Sequence, residues 1–213
     1  GEMAVALRGY QRAYRWDPSL PQPLGKIAPL ALSLDRPAEA VRYSLLDAAA
    51  ADPPLLRRLA FYQTEQQDWS GALRLYRLWL EKTPQANSAS NAESLMRMMT
   101  RIEIGRLEYL TNQPTAASET FAKVQAELLD SASPDSSQSS LLERLTRVLG
   151  PSVPVTWEIA GRCHLEATPQ NPRQIALARQ AFEQMAFSPT AAQRANYWLA
   201  ETLASEDKPF EAY

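Results

Sequence analysis

The chain of 213 residues has a single cysteine, Cys163, a single histidine, His164, and only seven glycines. One cysteine excludes an internal disulfide framework and leaves the redox compartment open. With no second His or Cys, the Cys163-His164 pair cannot complete a metal or nucleophile site, and neighbours on a helix point about 100° apart. The scattered glycines form neither a phosphate-cradling loop nor a dinucleotide fingerprint. Charge of one sign is not in excess: 22 Lys and Arg against 24 Asp and Glu leave a net −2, which marks no nucleic-acid surface and no acidic solvating tail. Long apolar runs are missing too. Arginine, glutamate or proline interrupts each one short of the roughly 20 residues of a membrane span, so no direct membrane insertion by this segment is expected. The opening Gly1-Glu2-Met3 lacks the basic region and apolar stretch of a secretory signal.

What is abundant is proline, gathered at positions such as Pro18, Pro53, Pro84, Pro151, Pro154 and Pro172. Between them the apolar residues recur every three or four positions, as in Leu73, Tyr76, Leu80 and Leu95, Met98, Met99, Ile102, and period-two alternation is scarce. That pattern predicts an all-helical chain punctuated by proline. It also repeats. Ala6, Tyr10, Ala13 and Pro18 are echoed by Ala72, Tyr76, Trp79 and Pro84, a helix that buries one face and stops at a turn.

These residues resemble the tetratricopeptide repeat (TPR) family, whose unit of about 34 residues is an antiparallel helix pair. The third unit fits best, with Leu56, Leu59, Ala60 and Gln63 on its first helix, a turn near Gln67-Asp68, then Ala72, Tyr76, Trp79 and Pro84. The second is looser: Leu24, Ile27, Ala28 and Ala31, then Val41, Leu45, Ala48 and Pro53, with a slip of about one residue. A fourth carries Ile104, Gly105, Ala117, Phe121 and Val124, opened by Ser90-Asn91-Ala92-Glu93 as a capping box. A fifth carries Trp157, Ala160, Gly161 and His164, then Ala178, Phe182 and Met185, with a longer turn between its helices. His164 falls where the family has a packing tyrosine, so a structural role is expected for it.

The implied fold is a right-handed α-α superhelix, a single TPR-like solenoid. Its approximate units are residues 1–20 (half repeat), 21–53, 54–86, 88–129, 130–153, 154–190 and 191–213 (partial repeat). Residues 131–140 are polar and low in complexity and are expected to form a mobile loop. Leu141, Leu142, Leu145, Val148 and Leu149 then predict an extra amphipathic helix packed on the array, ended by Gly150-Pro151. The half units at both ends predict an internal piece of a longer array, with self-association through exposed end faces as a consequence.

In the resembling family the first helices line a concave groove that receives a peptide or helix. The resemblance places Arg57, Phe61 and Glu65 there, with Ile102, Arg106 and Tyr109, and Glu158, Arg162 and Glu166, each set sharing a helix face by its spacing. Arginine grips carboxylates and aromatics bury area at little entropic cost. Where chaperone-tail receptors carry a lysine and asparagine clamp, this chain offers Arg57, Phe61, Arg106 and Arg162, which argues against that ligand. Glu93-Ser94 resembles the catalytic dipeptide of lytic transglycosylases, but the glycine-rich segment that follows in that family is missing. Carboxylate pairs such as Glu103 with Glu108 lack an apolar pocket to raise a general acid's pKa.

The expected function is a non-catalytic scaffold that binds a protein or peptide partner, with no cofactor, no metal and no nucleic acid. The alternative is the helical accessory domain of a larger cell-envelope enzyme or glycan-export system. Family habit suggests a bacterial, periplasmic setting, with the cytoplasm as a second option.

Overall fold

The computed structural model describes residues 1–19, 21–46, 51–83, 91–130, 141–168 and 171–205. Every regular element among them is a helix. The expected loop at 131–140 and Ser90 of the expected capping box lie outside the described residues. The chain forms two compact units, Gly1–Gln85 and Ala86–Tyr213.

Unit one contains α1 (Glu2–Trp16), α2 (Pro21–Ser33), α3 (Pro37–Leu46), α4 (Pro53–Glu65) and α5 (Trp69–Lys82). Each helix packs on the next in chain order, most closely within the pairs α2–α3 and α4–α5. Proline at the first turn of α4 costs no hydrogen bond, because that N–H has no intrahelical acceptor. Asp68 caps α5 by accepting from the Gly71 amide at 2.9 Å, and Gln63 Nε2 donates to its other oxygen at 2.8 Å.

Unit two contains α6 (Asn91–Leu110), α7 (Pro114–Asp130), α8 (Leu141–Leu149), a 3-10 turn at Gly150–Ser152, α9 (Val153–Ala167), α10 (Pro172–Ala186) and α11 (Ala192–Ser205). The pairs are α6–α7 and α9–α10, joined by α6 and α7 against α9, while α11 packs on α10. The extra helix α8 sits beside α6, with Leu145 in the core and Leu142 and Leu149 half-buried against it. Gly150, at φ +49°, takes the left-handed turn that ends α8, a conformation that suits glycine.

The repeat is written in the turns. Asp35, Gln67 and Asn112 are the non-glycine residues with positive φ among the described residues, at 57°, 60° and 59°. Each is followed by the same backbone closure: Arg36 N to Ala31 O, Asp68 N to Gln63 O and Gln113 N to Glu108 O, all at 2.9 Å. These are Schellman turns that satisfy the last carbonyls of the first helix and aim the second back along it. Five residues after each turn residue stands a fully buried alanine, Ala40, Ala72 and Ala117, and seven before it stand Ala28, Ala60 and Gly105. Small residues at these two places let the paired helices approach closely.

This register corrects the expected slip in the second unit. Ala40 and Ser44 occupy the places of Ala72 and Tyr76, so the pattern runs one residue earlier than Val41 and Leu45 suggested. Val41 is buried as well, and its hydrophobicity drew the expectation off the true alanine.

At the same level of the two pairs in unit two, the small residue makes room for an aromatic. A Cβ on Gly105 would come within 2.8 Å of the Phe121 ring, and one on Gly161 within 2.4 Å of the Phe182 ring. Three residues further along each first helix a polar side chain is buried, Glu108 on α6 and His164 on α9. Glu108 accepts from Thr120 Oγ1 at 2.7 Å, and His164 joins Ser118, Gln125 and Gln174 in a hydrogen-bonded network.

Candidate functional site

One face of unit two is built by α6, α9 and α11. Helical spacing puts Glu158, Arg162 and Glu166 on successive turns of α9. The packing of α9 on α6 and of α11 on α10 brings Tyr109 and Trp198 to either side of that row.

At its centre the Arg162 guanidinium lies 5.4 Å from the centroid of the Tyr109 ring and 5.6 Å from that of Trp198. The negative ring faces attract the cation from two sides. Trp198 is itself held flat on Phe182, with centroids 5.6 Å apart and planes 9° from parallel, so the core fixes one wall of the clamp. The Tyr109 hydroxyl donates to Glu166 Oε1 at 3.1 Å, fixing the other wall. Burial first, and the Glu166 carboxylate next, push the Tyr109 phenol above its ordinary value, which keeps it a hydrogen-bond donor.

Carboxylates surround the cation. Glu166 approaches Arg162 at 3.5 Å, and Glu158 accepts from the Trp198 indole at 3.4 Å while pairing with Arg194 at 3.2 Å. On α6, Arg106 pairs with Glu103 at 2.9 Å. Among the described residues the Nε–H groups of both Arg106 and Arg162 are buried without an acceptor, while the rest of each guanidinium remains partly exposed.

Of the nine residues expected on the binding surface, the structure brings four together here: Tyr109, Glu158, Arg162 and Glu166. Arg106 stands one turn before Tyr109 on α6, paired with Glu103. Ile102 is corrected. It is fully buried, in the core cluster that includes Ala117 and Phe121 of α7 and Trp157 and Ala160 of α9, so its side chain is not offered to a partner. Arg57, Phe61 and Glu65 belong to unit one, on α4, where Phe61 is 61% exposed, Glu65 is exposed and Arg57 is half-buried. Trp198 and Arg194 join the face although the repeat resemblance does not point to them. A signal for Trp198 is present in the spacing Ala195, Trp198, Thr202, which continues the buried stripe of α11.

Cys163 and His164 stand apart from this chemistry. Both are fully buried, and burial pushes the Cys163 thiol up to about 12. His164 lies through Nε2 2.9 Å from Gln125 Oε1, and through Nδ1 2.8 Å from both Ser118 Oγ and Gln174 Oε1. Gln125 Nε2 donates to the Leu177 carbonyl at 3.0 Å, which turns its oxygen to the ring. The cluster ties α7, α9 and α10 together. Among the described residues no group of His, Cys, Asp and Glu has the arrangement to hold a metal ion, and no helix is long and apolar enough to cross a membrane.

No protein-family model matches this chain, and no curated protein matches it. Among solved structures it is similar to the C-terminal part of a TPR repeat-containing protein from Cytophaga hutchinsonii, at 15% identity and a TM-score of 0.30, over 99% of this chain and 88% of that one.

Proposed function

We propose that this chain is a TPR-like helical scaffold that binds a peptide or partner protein without catalysis, and that unit two does so through the α6–α9–α11 face. The observation that carries the reading is Arg162 held between Tyr109 and Trp198 with its side chain still 39% exposed. A cation fixed in advance by two rings gives up little conformational freedom on binding, so a carboxylate that reaches it gains most of the interaction as affinity. Exchange for Glu166, whose pairing at 3.5 Å is long and solvent-exposed, costs little. The aromatic walls supply apolar area next to the charge, the combination found at the centres of protein interfaces.

The test is selection of a random displayed-peptide library on the whole chain, followed by binding of the enriched peptides to the Arg106→Ala/Arg162→Ala double variant. Acidic or free-carboxylate peptides whose affinity falls at least tenfold in the variant support the reading. Absence of enrichment, or peptides held equally by both proteins, would refute it.

A further inference from the structure

Unit two also contains a half-enclosed hollow of about 750 Å³ between α8, the 3-10 turn, the start of α9 and the end of α10. It shares no residue with the Arg162 face. Its walls are largely apolar, with Leu142 on α8, Val153, Pro154 and Trp157 on α9, and Phe187 beyond α10. A smaller cleft of about 120 Å³ shares Leu142, Trp157 and Gln184 with it and is lined further by Leu128 and Leu129. The hollow exists because α8 is inserted between two helix pairs and lies beside the array, seated mainly through Leu145, while Gly150 turns the chain away into α9.

The volume lies in the range of sites that take small organic ligands. The adjoining cleft past Leu142 and Trp157, at about 120 Å³, has room for a few methylene groups, so the tail of an unbranched chain can enter it while the rest fills the hollow. The head of such a ligand is set by Arg147. This residue lines the hollow on α8 and makes no ion pair or hydrogen bond among the described residues. Glu143, one turn earlier on the same wall, is already engaged with another group. Thr146, Ser188 and Thr190 add hydroxyls on the lining, and Arg147 is its one positive charge among the described residues.

From this we infer that unit two binds a single-chain amphiphile with an anionic head, its acyl chain along Leu142 and Trp157 and its head at Arg147. The head is a carboxylate or a phosphate, as both present oxygens that a guanidinium grips. Burial of the chain supplies affinity and the arginine supplies the preference for an anion.

The test uses the full chain titrated with dodecanoate, dodecyl phosphate and the neutral dodecyl maltoside, each below its critical micelle concentration. Calorimetry gives affinity, and nuclear magnetic resonance gives the residues perturbed. Saturable 1:1 binding is expected, about tenfold tighter for an anion than for the maltoside, with shifts at Leu142 and Trp157. Arg147→Glu should remove the anion preference, and Thr146→Trp, which fills the hollow from an exposed helix position, should weaken all three ligands. The tighter of the two anions identifies the head group. Absence of saturable binding, equal affinity for the neutral amphiphile, an anion preference kept in Arg147→Glu, or unchanged affinity in Thr146→Trp overturns the proposal. So does tight binding of a leucine-rich acidic peptide without binding of the amphiphiles, which would assign the hollow to a protein partner. Should either variant lose its helical circular dichroism, Arg147→Gln or Thr146→Phe takes its place with the same expected direction.

Discussion

Gly161 on α9 faces the ring of Phe182 on α10 so closely that a methyl group in place of its hydrogen would stand 2.4 Å from the ring carbons. Phe182 is fully buried and stacked on Trp198, so it has nowhere to retreat. Gly161→Ala gains up to about 1 kcal/mol of helix propensity and meets an overpacked core that costs more. The net expected effect is a loss of about 1–3 kcal/mol, seen in urea unfolding. Phe182→Leu in the same chain should recover part of it. Strictly additive losses in the double variant would show that the close approach is not the cause.

The second prediction concerns acid. Burial lowers the His164 imidazole from 6.5 to about 4, offset in part by its hydrogen bond with Gln174. The folded ring is neutral at pH 7 and the unfolded ring takes a proton as pH falls through about 6.5, so the unfolded state binds more protons in the window from 6.5 down to 4. Stability should therefore be insensitive to this group above pH 7 and fall by about 3 kcal/mol across that window. His164→Gln keeps a hydrogen-bonding side chain without the titration. Its stability, whatever its value at pH 7, should lose this pH dependence; an identical acid slope in both proteins would place the titration elsewhere.

Cys163 gives a third, simpler expectation. A thiol with no exposed surface and a pKa of about 12 supplies almost no thiolate at neutral pH. A disulfide reagent should label it in seconds in denaturant and at the rate of unit-two opening in buffer. Immediate stoichiometric labelling of the folded chain would contradict the burial of α9.

Much of this architecture was legible in the sequence because a helix pair needs small residues at its crossing and an aromatic beside them, and Gly105 with Phe121 and Gly161 with Phe182 supply them. The register of α2–α3 was not, since a turn at Asp35 sets it through backbone conformation, to which Val41 and Leu45 give no clue. The binding face was half legible. Spacing groups residues by helix face but does not say where a neighbouring helix covers that face, and so Ile102 groups with Arg106 although it is buried in the core. Trp198 is hard to read for the opposite reason: the repeat resemblance does not point to it, while the packing of α11 on α10 is what places the indole on Phe182 and over Arg162.

The last prediction separates the clamp from the ion pair around the same residue. Arg162 and Glu166 are both more than a third exposed and 3.5 Å apart, so their attraction adds little and fades in salt. Two aromatic faces at 5.4 and 5.6 Å are expected to contribute about 0.5–1 kcal/mol each. Arg162→Ala should then cost about 1–2 kcal/mol, a fall of a few degrees in midpoint temperature for a chain of this size, while Glu166→Gln should cost less than about 0.5 kcal/mol. Arg162→Lys keeps the charge but not the flat guanidinium, and should recover only part of the loss. A double-mutant cycle between Arg162→Ala and Trp198→Leu isolates the pair from the Phe182 stack, which both arms of the cycle share. A coupling energy near zero, or a loss in Arg162→Ala that vanishes in about 1 M salt, would mean that Glu166 and not the rings holds the cation. The face would then be an ordinary charged helix surface rather than a preformed site.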